Sequence, residues 1–156
     1  RTKIRMCYCT LTSGNHLGKA VMDMDNLEII TANGETLCYV IRRNAQPEKT
    51  TFITPPEDKQ QVGFIVYPKG SVIARHIHKP LERHIIGMAE VLVVRSGHCQ
   101  IEVYDEHKSM VALRDLYQSD VVLMVGGGHG FRIKEDTVLL EIKQGPYLGA
   151  DDKELF

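Results

Sequence analysis

The sequence contains no tryptophan, no long apolar run and no excess of either charge. No stretch approaches the roughly 20 apolar residues that a membrane-spanning helix needs. The 19 basic residues nearly balance the 20 acidic ones, so the chain lacks the positive surface typical of proteins that bind nucleic acids or anionic membranes. We therefore expect no nucleic-acid partner and no membrane partner.

Cysteine is also scarce, and its spacing is not that of a disulfide framework. Of the four cysteines, Cys7 and Cys9 lie close together, whereas Cys38 and Cys99 stand alone. This pattern differs from the disulfide framework of a small secreted domain. The first residues also lack the continuous apolar segment of a secretory leader. These features favour a cytoplasmic protein.

The length of 156 residues suits one domain with a sizeable apolar core. Residues 1–24 mix glycine with polar residues and show no sustained period, so we predict an N-terminal extension there. A regular succession of short apolar segments and turns starts near Asp25, and we predict a single domain over residues 25–156.

Signals for helices are few, whereas short apolar segments recur between glycine, asparagine and aspartate turns. Asn33-Gly34 separates two such segments and is a strong hairpin signal. We predict an all-β sandwich or barrel from this spacing. Its strands are predicted at residues 27–31, 36–42, 62–67, 72–78, 90–95, 99–104, 110–113, 120–125, 131–133 and 137–143.

The densest group of metal-binding side chains lies in residues 70–97. In a strand over residues 72–78, successive side chains alternate faces, so His76 and His78 would share one face. Two imidazoles on one strand face can reach the same metal ion. Glu90 begins the next apolar segment, and antiparallel pairing of the two strands would bring its carboxylate beside the histidines.

These residues resemble a known protein family, the cupin superfamily. Its first motif, G-x5-H-x-H-x(3–4)-E-x6-G, is similar to the set Gly70, His76, His78, Glu90 and Gly97, in which eleven residues separate His78 from Glu90. Its second motif, roughly G-D-x4-P-x-G-x2-H, is similar to the segment from Ser119 to His129. The resemblance covers about residues 60–145. It implies an all-β double-stranded β-helix, the jelly-roll barrel of cupins, with a metal ion bound inside.

The resemblance also implies the ligands, which are His76, His78, Glu90 and His129. Imidazole and carboxylate together suit one divalent metal ion, which can be Fe, Mn, Ni, Co or Zn. Glu82 stands at the family's usual distance from His78, and His84 lies in the same segment, so both remain alternatives to Glu90. We prefer Glu90 because its apolar strand and the following Gly97 are intact.

The segments VGGGHGF and EIKQGPY are similar to segments of small single-domain cupins associated with sugar and cell-surface polysaccharide metabolism. This similarity implies a metal-dependent enzyme that acts on a sugar derivative or an organic acid, with Glu82 and His84 as candidate catalytic residues. Two alternatives stay open. One is a non-catalytic protein whose metal anchors a small-molecule ligand, and the other is a metal-free sugar-nucleotide isomerase. The family also implies a homodimer.

Overall fold

The computed structural model describes residues 26–146 and 148–156, so the extension predicted at residues 1–24 lies outside the described residues. The described part consists of strands joined by turns and irregular segments and contains no α-helix, which confirms the all-β prediction. No helix in this part is long and apolar enough to cross a membrane. The elements are β1 (Leu27–Ala32), β2 (Glu35–Ile41), β3 (Thr51–Phe52), β4 (Gly63–Phe64), β5 (Glu90–Ser96), β6 (His98–Tyr104), β7 (Met110–Tyr117), β8 (Val121–Met124), β9 (Gly128–Ile133), β10 (Val138–Lys143) and a 3-10 turn (Gly149–Asp152).

The chain divides into two compact units. The described residues of the first unit are 46–83, and the second unit comprises residues 26–45 together with 84–156. The prediction of one domain over residues 25–156 stays a prediction.

The first unit contains one small antiparallel sheet, in which β3 pairs with β4 and Thr51 lies opposite Phe64. Beside it, Thr54 is buried, and its hydroxyl accepts a hydrogen bond from the backbone N of Val62 at 3.0 Å. Beyond this sheet the unit has no further strand among its described residues. Every residue from 65 to 83 is exposed.

The strand predicted over residues 72–78 is therefore wrong. The hydrogen bond between His76 Nδ1 and the carbonyl oxygen of Ala74, at 3.0 Å, is a local contact within this stretch. Alternation of apolar and polar residues favours a strand only where a neighbouring strand accepts and donates the ladder of backbone hydrogen bonds. Residues 72–78 have the alternation but no such neighbour in the described structure.

The larger sheet of the second unit has five antiparallel strands in the order β1-β2-β8-β5-β10. The predicted hairpin is confirmed, with positive φ angles of 53° at Asn33 and 84° at Gly34. Such a turn matches the twist of the strands that it joins. Towards the other edge, Glu90 of β5 lies opposite both Met124 of β8 and Lys143 of β10.

The smaller sheet has three antiparallel strands in the order β7-β6-β9. The chain passes between the sheets, because β5 and β8 belong to the larger sheet while β6, β7 and β9 belong to the smaller one. Each sheet keeps two open edges within the described residues, so the predicted closed barrel is not found there. The strand over residues 72–78 that the prediction assigned to that barrel is not formed.

Apolar side chains from both sheets share one core. Along β6, Cys99, Ile101 and Val103 are completely buried, while the intervening residues are partly exposed. This period of two is typical of a strand with one buried face. Cys38 of β2 is equally buried, and its burial raises the pKa of its thiol to about 12. Cys38 and Cys99 are free thiols that serve as small core residues.

Candidate functional site

Glu90 is a buried carboxylate at the start of β5. Its strand places Leu92 and Val94, both core residues, on the same face, so Glu90 points into the space between the sheets. Its Oε2 is buried and has no hydrogen-bond partner. An unpaired buried carboxylate oxygen is costly, and such a group is commonly explained by a function.

His129 lies on the facing sheet and approaches this carboxylate. The backbone of β9 pairs His129 with Val103 of β6, and the imidazole Nε2 lies 3.4 Å from Glu90 Oε2. The ring also contacts the Phe131 ring edge-on, with centroids 5.7 Å apart. Burial lowers the pKa of the His129 imidazole, and the negative charge of Glu90 opposes that effect only in part. A lowered pKa favours the neutral imidazole, which is the form that binds metal ions.

Lys143 is a partly buried lysine beside Glu90 that was missed by the sequence-based prediction. Its Nζ lies 3.8 Å from Glu90 Oε1 and 3.4 Å from Glu141 Oε2, and its side chain is only 14% exposed. The period of two along β10 could have predicted this position from the sequence. Lys143 shares a strand face with Leu139, which packs against the core, so the side chain faces inward.

A pocket of about 390 Å³ opens beside Glu90 and His129. This volume is in the range of small-molecule sites. Three glycines, 126–128, form part of its wall, together with the apolar side chains of Met88 and Met124. Residues 152–156 line another side. The pocket therefore combines apolar walls with a buried carboxylate and an imidazole.

His76 and His78 belong to the first unit, where both are exposed. Their rings contact each other edge-on, with centroids 5.1 Å apart. His76 Nδ1 lies 3.0 Å from the carbonyl oxygen of Ala74. Because a carbonyl can only accept, this hydrogen bond places the proton on Nδ1 and leaves the Nε2 lone pair available to a metal ion.

The two alternative residues lie in an irregular, exposed stretch. Glu82 belongs to the first unit and His84 to the second. Neither forms a hydrogen bond or an ion pair with another described residue. Their suggested roles as catalytic residues or ligands remain predictions.

The described residues contain no group of three or more His, Cys, Asp or Glu side chains arranged to hold a metal ion. Of the four ligands implied by the resemblance, Glu90 and His129 form one close pair in the second unit. His76 and His78 form a second close pair in the first unit. The set of four ligands stays a prediction.

A polar network borders the pocket on the outer face of β6. The Tyr104 hydroxyl donates a hydrogen bond to Glu102 Oε2 at 2.9 Å, and Arg132 forms an ion pair with the same carboxylate. The hydrogen bond from Tyr104, followed by the hydrogen bond and charge of Arg132, holds the pKa of Glu102 below its usual value. This network fixes the Tyr104 ring beside the pocket glycines.

None of the family models, curated proteins and solved structures compared with this chain matches it. The likeness to cupins consequently depends on the two motifs and on the residues described above. It remains a resemblance.

Proposed function

We propose that this protein binds one divalent metal ion at a centre that includes Glu90 and His129, and that it acts there on a small polar molecule. The observation that carries the proposal is the buried Glu90 Oε2, which has no hydrogen bond and lies 3.4 Å from His129 Nε2. Carboxylate and neutral imidazole are both ligands of Fe, Mn, Ni, Co and Zn ions. The donor set therefore fits the cofactor that the resemblance implies.

The chemistry follows from the type of ion. A bound divalent metal supplies a Lewis acid that polarises an oxygen atom of a substrate. The residues of this chain supply the surroundings: Met88 and Met124 provide apolar wall, and Lys143 offsets the charge of Glu90. A sugar derivative or an organic acid has the oxygen atoms that such a centre recognises.

His76 and His78 are proposed as the remaining ligands. The contact of His76 Nδ1 with the Ala74 carbonyl supports this, because it leaves Nε2 free to bind a metal. We also propose that the functional fold is the jelly roll of cupins. The passage of β5 to β10 between two antiparallel sheets supports that proposal.

Elemental analysis of the purified, tag-free protein tests the metal centre. We expect about one Fe, Mn, Ni, Co or Zn ion per chain, as for a single mononuclear site. Glu90→Ala and His129→Ala should each remove most of this metal, and His76→Ala and His78→Ala should lower it as well. Glu82→Ala should leave it unchanged.

A matched control is His98→Ala. His98 is a half-buried histidine of the same unit that pairs with Asp115 at 2.7 Å and lies outside the pocket. Its loss should leave the metal content at the wild-type level. The proposal is wrong if the wild type stays metal-free after incubation with each ion, or if Glu90→Ala and His129→Ala retain the metal in folded protein.

A further inference from the structure

Residues 152–156 form a short segment, called here the strap, that lines the pocket beside Glu90 and His129. An exposed ion pair attaches it, because Lys108 Nζ lies 2.7 Å from Glu154 Oε1. The same ammonium group lies 5.5 Å from the centroid of the Phe156 ring. Lys108 thus holds the strap by two contacts.

Phe156 attaches the strap at a second place. Its ring meets the Tyr104 ring edge-on, with centroids 5.2 Å apart and an interplanar angle of 87°. The ring lies directly over Gly128, where a Cβ atom would stand 3.2 Å from two of its carbons. The absence of a side chain at Gly128 therefore makes room for Phe156, and the Tyr104 ring is itself held by Glu102.

The charges around the pocket are largely paired. Glu154 pairs with Lys108, and Asp152 Oδ2 accepts a hydrogen bond from the backbone N of Leu148 at 3.1 Å. Glu90 has Lys143 beside it at 3.8 Å.

Lys153 differs from these charged residues. It lines the pocket, yet it forms no ion pair or hydrogen bond with any described residue.

We propose that Lys153, held at the pocket by the strap, binds the carboxylate of a small organic acid whose apolar part contacts the pocket wall. An ammonium group without a partner can bind a carboxylate, and Met88, Met124 and Leu155 provide the apolar contacts. This inference deepens the proposed function, since it names the organic acid rather than the neutral sugar as the substrate class. A metal ion at Glu90 and His129 would add positive charge and strengthen the same preference.

The test compares a carboxylate with a neutral molecule of the same size. Benzoate and benzamide are titrated into ¹⁵N-labelled, metal-free protein, and binding is followed by the amide shifts of Gly126, Gly127 and Gly128. We expect benzoate to bind about threefold more tightly than benzamide, the scale of one exposed ion pair. Lys153→Met should make the two affinities equal, whereas Lys153→Arg should preserve the preference. Lys134→Met, at an exposed lysine outside the pocket, is the matched control and should behave as wild type.

Weakening the attachment of the strap tests the role of Lys153 independently. Lys108 does not line the pocket, so it is a positioning residue that acts through Glu154. Lys108→Ala should lower the preference for benzoate and increase hydrogen exchange in a peptide that covers residues 152–156. Lys108→Arg should restore both. Thermal unfolding of each variant shows whether the fold is intact.

The inference is overturned if wild type binds benzoate and benzamide equally, or if folded Lys153→Met keeps the preference. These results are separate from the metal measurement. Protein that holds a metal but shows no preference for the carboxylate contradicts only the role of Lys153. Protein that shows the preference but never binds a metal contradicts only the proposed function.

Discussion

At the scale of single residues, Asp120 shows how a motif position can have a structural explanation. It is the aspartate of the segment that resembles the second cupin motif, and it is only 2% exposed. Its carboxylate accepts hydrogen bonds from Arg43 N at 2.9 Å, from Tyr117 N at 3.1 Å and from Arg42 Nη1 at 3.1 Å. Asp120 therefore joins the end of β2 to the end of β7.

Removing this carboxylate should destabilise the fold. Asp120→Ala removes the acceptor of two backbone N–H groups and one of the acceptors of the partly buried Arg42 guanidinium, so we expect the free energy of unfolding to fall by about 3 kcal/mol. Urea denaturation measures the change. Asp136→Ala, at an exposed position, is the control and should change the free energy by less than about 0.5 kcal/mol. A similar small loss in Asp120→Ala would contradict the structural role.

At the scale of elements, the glycine-rich connection between β8 and β9 brings His129 to the pocket. Gly127 has a φ of +64°, and a Cβ atom there would lie 2.1 Å from the carbonyl oxygen of Tyr104. Only glycine tolerates both the left-handed backbone and this close approach. The connection thus enters β9 directly before His129, at the register that pairs it with Val103.

Two glycine substitutions separate backbone strain from steric overlap. Gly34 also has positive φ, +84°, but no atom lies within 4 Å of its Cβ position. Gly34→Ala should therefore cost only the left-handed strain, about 1 kcal/mol. Gly127→Ala adds the collision with Tyr104 and should cost about 3 kcal/mol or more. Equal losses for the two variants in urea denaturation would show that the collision is relieved by movement of the connection.

At the scale of the whole molecule, the two units differ in how their residues are buried. The second unit has a core formed by two sheets. In the first unit, residues 65–83 are exposed throughout, including large apolar side chains such as Val72 and Ile77, which are 92% and 93% exposed. A stretch with few backbone hydrogen bonds and little burial has low local stability.

Limited proteolysis tests this contrast. Among cleavages in the described part of the chain, we expect trypsin to cut first after Lys69, Arg75 and Arg83, because these sites have exposed backbone outside any sheet. Sites within paired strands, such as Arg114 of β7, should resist until the second unit unfolds. Mass spectrometry of early fragments identifies the cuts. Early cleavage at Arg114 would contradict the expected difference in stability.

The sequence by itself determined the features that depend on local physics. The alternation of apolar residues located most strands to within a few residues, because a half-buried strand has a period of two wherever it lies. Asn33-Gly34 predicted its hairpin because few other residue pairs adopt positive φ at two successive positions. The motifs also singled out Glu90 and His129, which the structure brings to within 3.4 Å of each other.

Only the tertiary structure decided what depends on residues far apart in the chain. Arg43 and Asp120 meet across 77 positions, and Lys143 reaches Glu90 because β10 pairs with β5. The contact between Lys108 and Glu154, next to Lys153 at the pocket, likewise joins residues 46 positions apart. Residues 72–78 show the reverse case, in which the local pattern favours a strand but no neighbouring strand pairs with it. A strand is stabilised by its partner, and the sequence of the strand alone does not supply one.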